Sequence, residues 1–159
     1  MAVDMFLELD GIKGESIDHK HKDTIDILAW SWGLSNAGTF HSGSGGGSGK
    51  ANFQDISITK YIDKASADLM VHCASGKHIK KGSLIVRKAG DKPLEYLTFK
   101  FDQLLVSSIS TGGSHGEERL TENVSLNFAK VEVAYKIQDE KGGGKDGGQF
   151  TWNIAANTK

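Results

Sequence analysis

The sequence predicts a mainly β fold, a sandwich or barrel with one helix at one end. Seven or eight segments alternate apolar and polar residues with a period of two, the pattern of strands with one buried face. Only one segment has the apolar spacing of a helix. The 159 residues include 20 glycines but a single proline. That combination indicates many turns and long, mobile glycine-rich loops between the strands.

The first strand is predicted over residues 3–9, where Val3 and every second residue after it are apolar. Gly11 marks the turn that ends it, and the polar residues 13–23 are expected to form a loop. A second strand is predicted from Ile25 to Leu34. Because both of its faces are mostly apolar, we expect this strand to be covered on both sides.

A glycine–serine tract follows, "HSGSGGGSGK" over residues 41–50. A phosphate-binding P-loop needs G-x-x-x-x-G-K-[ST], followed by a helix whose first N–H groups face the anion. Here Ser44 stands at the first glycine position and Ala51 at the hydroxyl position, and a strand pattern follows. We therefore expect a flexible loop within one domain, because the strands on both sides of it are needed for one barrel.

The one helix is predicted over about residues 64–75, with Asp63 or Ser66 as its N-cap and Gly76 at its C-terminal end. Its inner face is expected to carry Ala65, Leu69 and Cys73, which are spaced by four residues, together with Met70 beside them.

Strand patterns return after the helix. The turn at residues 88–93 predicts a hairpin, and glycine-rich loops are expected at residues 110–116 and 139–149. In the long segment from Leu120 to Ile137 the apolar positions change from even to odd numbers, which predicts a β-bulge or bend near Ala129-Lys130. A last strand is predicted over residues 150–154.

Composition excludes several classes of protein. The net charge of −1 leaves no basic excess to bind nucleic acid. Cys73 is the only cysteine, so no disulfide forms within the chain, and we expect it to be a small core residue. The sequence shows neither a signal peptide nor an apolar run of membrane-spanning length, so folding in the cytoplasm is expected.

No motif predicts catalysis. His19 and His21 have the spacing for two metal ligands on one strand, but no further ligands cluster with them, so we interpret them as solvated loop histidines. No G-x-S-x-G nucleophile motif is present. The residues alone therefore indicate a non-enzymatic β domain without cofactor or metal.

Several stretches together resemble one family. They are "MAVDMFLELDGIKGES" at the start, "AWSWG" at 29–33, "ITKYIDKAS" at 58–66, "CASGKH" at 73–78, "LVSSISTGGS" at 105–114, "ERLTENVSLNFAKVEVAY" at 118–135 and the closing Trp152-Asn153-Ile154. In this order and spacing they resemble the haemolysin-coregulated protein (Hcp) family of bacterial type VI secretion. The resemblance extends over nearly the whole chain, residues 1–159, which is then a single domain.

The resemblance implies a small β-barrel of two antiparallel sheets with one flanking helix. It further implies hexameric rings that stack into the injected inner tube and that carry and chaperone effector proteins in the lumen. The partners would be further copies of the chain, effectors, the tip spike protein and the contractile sheath, without nucleic acid or membrane insertion. The protein would stay in the cytoplasm until firing and then be secreted without a signal peptide. The alternative is an all-β ligand-binding or adhesion module without self-assembly, and a third interpretation is a hydrolase.

Three sets of residues are candidates for these contacts. Ser31 is expected to face away from the core, because Trp30 and Trp32 on either side of it should point inward, and it could line the lumen. The tract is predicted to contact the neighbouring ring through His41, Ser42, Ser44, Ser48 and Lys50. The strands Leu104–Ile109 and Ile25–Leu34 are predicted subunit contacts, because their apolar residues exceed what one core face requires.

Overall fold

The computed structural model describes residues 2–38, 40–42 and 49–159. Its elements, in chain order, are β1 Val3–Leu9, β2 Ile25–Asp26, β3 Ala29–Ser31, β4 Leu34–Ser35, β5 Asn52–Phe53, β6 Ile56–Tyr61, α1 Ala65–Ser75, β7 Ile79–Lys88, β8 Glu95–Thr111, β9 Thr121–Gln138 and β10 Gly144–Asn153. A short 3-10 turn covers Phe40–Ser42.

One antiparallel sheet closes into a barrel. Its strand order is β2-β1-β7-β8-β9-β6-β3, and β10 pairs with β9. The segment after β2 joins the two ends of this order, because the Ile27 N–H donates to the Met5 carbonyl (3.1 Å) and the Leu28 N–H to the Thr59 carbonyl (2.8 Å). β4 and β5 form a second, two-stranded sheet. The predicted mainly β barrel with one helix is confirmed, although its two sheets are very unequal in size.

The core fills the barrel with side chains from every second strand position, as the alternating pattern requires. Its fully buried members include Leu7, Ile58, Leu84, Phe101 and Leu126. α1 packs against β8 and places Leu69, which is fully buried, into the core. The core is therefore closed by a helix at one end.

The helix confirms the predicted range but corrects its details. The N-cap residue is Lys64, one position after Asp63, whose carboxylate accepts a hydrogen bond from the Ala65 N–H (2.9 Å). Met70, predicted on the inner face, is 41% exposed. Gly76 ends the helix with a left-handed φ of 70°, as predicted.

The predicted irregularity near Ala129-Lys130 is a bend shared by two strands. Phe128 and Val131 are both buried although they differ in parity, and opposite them Gln103 in β8 has a left-handed φ of 55°. The pairing on either side, Asp102 with Lys130 and Leu104 with Phe128, keeps its register, so no extra residue is inserted here. The barrel turns a corner at this point, and the shift in register lies further on, between Val106 and Ser108.

The predicted strand Ile25–Leu34 is wrong as one continuous element. Ile25 and Ile27 are buried, the chain bends at Leu28, and Trp30 and Trp32 then pack against the core from even positions. The bend separates β2 from β3, and Trp32 and Gly33 separate β3 from β4. The apolar residues on both faces of the pattern thus reflect a change of inward face at Leu28, not a strand covered on both sides.

Beyond the barrel the sheet stays open. β6 pairs with β9 only up to Leu126, and β10 takes its place along residues 130–138. We call residues 131–138 of β9 together with β10 the wing.

Candidate assembly and cargo surfaces

Ser31 lies where the sequence predicted, on the outer face of the barrel. Trp30 packs edge-to-face on Phe99 with ring centroids 5.0 Å apart, and Trp32 also contacts Phe99, at 5.8 Å. Their inward direction leaves the Ser31 side chain outside, and the residue is exposed.

Ser31 belongs to a row of serines that crosses four strands. It pairs with Ser57 on β6, Ser57 pairs with Ser125 on β9, and Ser125 pairs with Ser108 on β8. Residues directly opposite one another in a sheet point to the same face. The next row out, Ala29, Thr59, Asn123 and Ser110, is also small and uncharged, and the Thr59 hydroxyl donates to the Asn123 amide oxygen (2.8 Å). We call these two rows the serine face.

The outer surface formed by β7 with the other halves of β8 and β9 differs in charge. There Lys100 lies between Ser83 and Glu132, and Asp102 lies between Lys81 and Lys130. Alternating charges of this kind are typical of a solvated sheet face. The barrel therefore presents one uncharged outer face and one charged outer face.

The glycine–serine tract begins beyond the small sheet. β4 and β5 pair through Leu34 with Phe53 and Ser35 with Asn52, and the Asn36 side-chain amide donates to the Gly49 carbonyl (2.8 Å). These contacts hold the two ends of the segment together. His41 and Lys50 are exposed. Ser42 ends the 3-10 turn, and Ser44 and Ser48 lie outside the described residues.

Most apolar side chains of the predicted subunit contact at Leu104–Ile109 point into the barrel. Leu104 and Val106 are 1% and 2% exposed and belong to the barrel core, and Ile109 packs against it. Within Ile25–Leu34, Leu28 and Leu34 are the exposed large apolar residues, at 41% and 49%. The apolar excess in Leu104–Ile109 is explained by the register shift between Val106 and Ser108, which lets Val106 and Ile109 both point inward.

The wing carries an exposed apolar face that sequence reasoning missed. Met5, Val86, Leu97 and Tyr135 are consecutive partners across four strands, so their side chains share the inward face. Exposure rises along that face, because Val86 is 3% exposed whereas Tyr135 and Ile137 are 45% and 46% exposed. The pattern of odd-numbered apolar residues was visible in the sequence, but the point at which the barrel stops covering them was not.

A buried ion cluster lies at the helix end of the barrel. Lys60 and Glu122 are Cα partners, both point inward, and they are 0% and 1% exposed. The Lys60 ammonium donates to the Glu122 carboxylate and lies 2.9 Å from Asp63 Oδ1, and the Ser66 hydroxyl donates to Glu122 Oε1 (2.6 Å). Among the described residues Glu122 Oε2 has no hydrogen-bond partner.

A second ion cluster holds the loop of residues 13–24 against the C-terminal end of β7. The Arg87 guanidinium donates two hydrogen bonds to the Asp18 carboxylate (3.0 and 2.5 Å) and one to Asp4 (3.1 Å). The hydrogen bonds from Arg87 hold the pKa of Asp18 well below its usual range, and the carboxylates, first of all Asp18, raise the pKa of Arg87.

His21 belongs to the same end and corrects a prediction. Its Nε2 lies 2.5 Å from Glu95 Oε1, its ring stacks on Phe6 at 4.7 Å, and its side chain is only 12% exposed. It is therefore a structural residue of this loop, whereas His19 is exposed as expected.

Within residues 2–38, 40–42 and 49–159, no three His, Cys, Asp or Glu side chains are grouped to hold a metal ion. No helix of this part of the chain is long and apolar enough to cross a membrane.

Comparison with known proteins gives a consistent result. The family model described as "Type VI secretion system effector, Hcp" matches residues 6–135. A protein named Hcp1 from Pseudomonas aeruginosa is 54% identical over 162 aligned positions, which cover 100% of this chain and 99% of the relative. The crystal structure of Hcp1 from Salmonella typhimurium is 42% identical, with a TM-score of 0.81 and 99% of each chain covered. A second structure, described as a type six secretion system protein, is 33% identical with a TM-score of 0.89, again over 99% of each chain.

Proposed function

The chain belongs to the Hcp family of the type VI secretion system, and from this premise we propose that its copies assemble into hexameric rings that stack into the injected inner tube and carry effector proteins in the lumen. The protein acts in this proposal as a structural part and carrier, not as an enzyme. Its other partners are the tip spike protein and the contractile sheath, and the assembled tube leaves the cytoplasm by secretion.

The observation that carries ring assembly is the apolar face of the wing. Tyr135 and Ile137 continue the core face of β9, but almost half of each residue remains exposed. A contiguous apolar surface that continues a core is typical of a surface that a partner buries. The partner proposed is a second copy of the chain.

A ring fits this asymmetric surface. The wing lies at one edge of the sheet, and the exposed apolar residues elsewhere, such as Ile62 and Leu120, belong to another edge of the barrel. Contacts between two different patches are heterologous, and they close into a ring when the rotation per copy permits. The net charge of −1 puts little repulsion between neighbouring copies.

The test of assembly replaces Tyr135 and Ile137 together by aspartate. The expected result is loss of the ring in light scattering coupled to gel filtration, with circular dichroism and thermal unfolding close to the parent, because the substituted side chains are already half exposed. The matched control is Met70→Asp with Val71→Asp, an exposed apolar pair on α1 that is 41% and 59% exposed. Rings that persist in the wing variant, or that are lost equally in the control, would contradict the role of the wing.

A parent that stays monomeric at about 10–100 μM, far above a micromolar dissociation constant, would favour the alternative of a binding or adhesion module without self-assembly.

The serine face is proposed to line the lumen, with Ser31 in contact with effectors. Its small, uncharged side chains would accept cargo of either charge. Ser31→Gln adds bulk to the middle of the serine face and is expected to reduce the effector that co-purifies with the ring, while the ring itself still forms. If both ring assembly and co-purification stay at the parent level, Ser31 has no part in carrying cargo.

The glycine–serine tract is proposed to contact the neighbouring ring through His41, Ser42, Ser44, Ser48 and Lys50. The exposed positions of His41 and Lys50 and the paired base formed by β4 and β5 are compatible with that contact. Removing residues 43–49 is expected to keep the fold, because loop closure depends weakly on length, and to weaken stacking. Loss of folded protein would instead place the tract in the core.

A further inference from the structure

Ile17 is the most exposed large apolar side chain among the described residues, at 95%. The backbone around it is held in place. The neighbouring Ser16 is 2% exposed, its N–H donates to the Thr24 carbonyl (3.0 Å), and its carbonyl accepts from the Asp23 N–H (2.9 Å). On the other side the Asp18 carboxylate is fixed by Arg87. A contact through Ile17 would therefore cost little ordering of the loop.

An open groove of about 380 Å³ lies at the corner of the barrel. Its apolar floor is formed by Phe53, Leu104, Phe128 and Ile154, and its rim carries uncharged amides and one imidazole: Gln54, Gln103, Asn127 and His78. The rim includes Gln103, the residue with the left-handed backbone. Nonglycine residues in that conformation are costly and concentrate at binding sites.

Ile17 and the groove lie at opposite ends of β7. Asp18 is bound to Arg87 near the last residue of β7, whereas His78 precedes its first residue and Leu104 pairs with that residue, Ile79. At about 3.3 Å per residue, the nine steps from His78 to Arg87 span about 30 Å. Ile17 therefore cannot enter the groove of its own chain. A second copy displaced along β7 brings its groove to Ile17, which is a heterologous, head-to-tail contact.

We infer that Ile17 of one copy seats in the groove of the next copy along β7, and that this is an axial contact between stacked rings. The inference rests on the proposed tube assembly and names one of its contacts. The charges allow it, because the carboxylates on either side of Ile17 already have partners: Glu15 accepts from the Lys64 N–H (3.1 Å), and Asp18 is paired with Arg87. No unpaired carboxylate adjoining Ile17 is then buried against the amide rim.

The contact is tested by crosslinking in a Cys73→Ala background. Ile17→Cys combined with Ala155→Cys, an exposed residue that lines the groove, is expected to give a ladder of disulfide-linked multimers under oxidation. Val71→Cys combined with Ala155→Cys is the matched control, because Val71 is an exposed apolar residue on α1, and it should stay unlinked. The absence of a ladder, or equal ladders from both pairs, overturns the inference. A single closed product of ring size, with no longer species, places the contact within a ring and also overturns the axial assignment.

A second variant separates this inference from the proposed function. Ile17→Asp is expected to raise the concentration for half-maximal stacking by about tenfold or more, because an isoleucine side chain loses its burial. The mass of the single ring should not change, and Val71→Asp should stack like the parent. If rings form and Ile17→Asp stacks like the parent, the Ile17 contact is wrong while the proposed function stands. If the parent forms no rings at all, the proposed function fails, and the disulfide between Ile17→Cys and Ala155→Cys, which needs only two copies, still decides whether Ile17 seats in the groove.

Discussion

The two halves of β9 have the same strand geometry but opposite environments. In the first half the inward side chains of Glu122, Val124, Leu126 and Phe128 are at most 5% exposed. In the second half Tyr135 and Ile137 point to the same side of the sheet and are almost half exposed. β8 pairs with both halves, but on the other side of β9 the first half has β6, which closes the barrel, whereas the second half has β10, which has no further strand beside it in the sheet. The difference shows that the apolar pattern of a strand selects its inward face, while the closing partner decides whether that face serves folding or assembly.

The two charged clusters follow the same division. Lys60 and Glu122 at the helix end have fully buried side chains. Arg87 and Asp18 at the wing end have side chains that are 8% and 22% exposed, so water still reaches the carboxylate. Breaking the first pair leaves a charge in the core, whereas breaking the second leaves a charge that water can solvate.

The largest expected effect is therefore at the helix end. Lys60→Met leaves the Glu122 carboxylate buried without its cation and is expected to lower the free energy of unfolding by about 3–5 kcal/mol in urea titrations. Lys60→Met combined with Glu122→Leu should recover the part of that loss that is due to Glu122, whereas Asp63, whose side chain is 8% exposed, still lacks its cation. Lys100→Met on the exposed outer face of β8 is the control, with an expected change within about 0.5 kcal/mol. Equal losses for Lys60→Met and Lys100→Met would contradict a special cost of leaving the buried Glu122 carboxylate without its cation.

The sequence predicted the class of fold, the helix and the outward direction of Ser31, because each depends on local periodicity. It did not predict the inward direction of Lys60 and Glu122. Each stands in a segment with the usual alternation of a strand, in which a lysine or glutamate does not indicate burial. Only the pairing of β6 with β9 brings the two side chains together. The break at Leu28 was missed for a related reason: apolar residues on both faces also fit one covered strand. The wing was missed because the end of the barrel depends on which strand closes it, which is a property of topology.

Two glycines offer a sharper comparison of the barrel with the wing. A Cβ on the buried Gly82 would lie 2.9 Å from Leu9 Cδ2 and 3.3 Å from the Glu8 carbonyl oxygen. A Cβ on the exposed Gly147 would lie 2.6 Å from Tyr135 Cδ1 and 2.9 Å from Ile137 Cγ1, side chains that have space to turn outward.

Gly82→Ala is therefore expected to lower the free energy of unfolding by about 1–3 kcal/mol, as overpacking of a core does. Gly147→Ala should cost less than about 1 kcal/mol in the isolated chain, yet it should weaken ring formation because Tyr135 must move. Chemical denaturation of the monomer and gel filtration of the ring measure the two effects separately. A larger loss of monomer stability at Gly147 than at Gly82 would contradict an open wing.

The smallest expected effect is on the thermal stability of the fold at low pH, and it depends on Asp18. Arg87 holds the pKa of Asp18 below its usual range in the folded chain, so the carboxylate stabilises the fold above its unfolded pKa of about 3.9. That contribution is lost as the pH falls below about 4 toward the lower, folded pKa. Asp18→Asn has no such contribution to lose, so its thermal midpoint should fall less steeply between about pH 5 and 2 than that of the parent. Asp91→Asn, an exposed carboxylate in the turn between β7 and β8, is the control and should follow the parent slope. Parallel slopes for the parent and Asp18→Asn would contradict a contribution of the Asp18–Arg87 pair to stability. Solvent would then screen this pair almost completely, unlike the buried pair of Lys60 and Glu122.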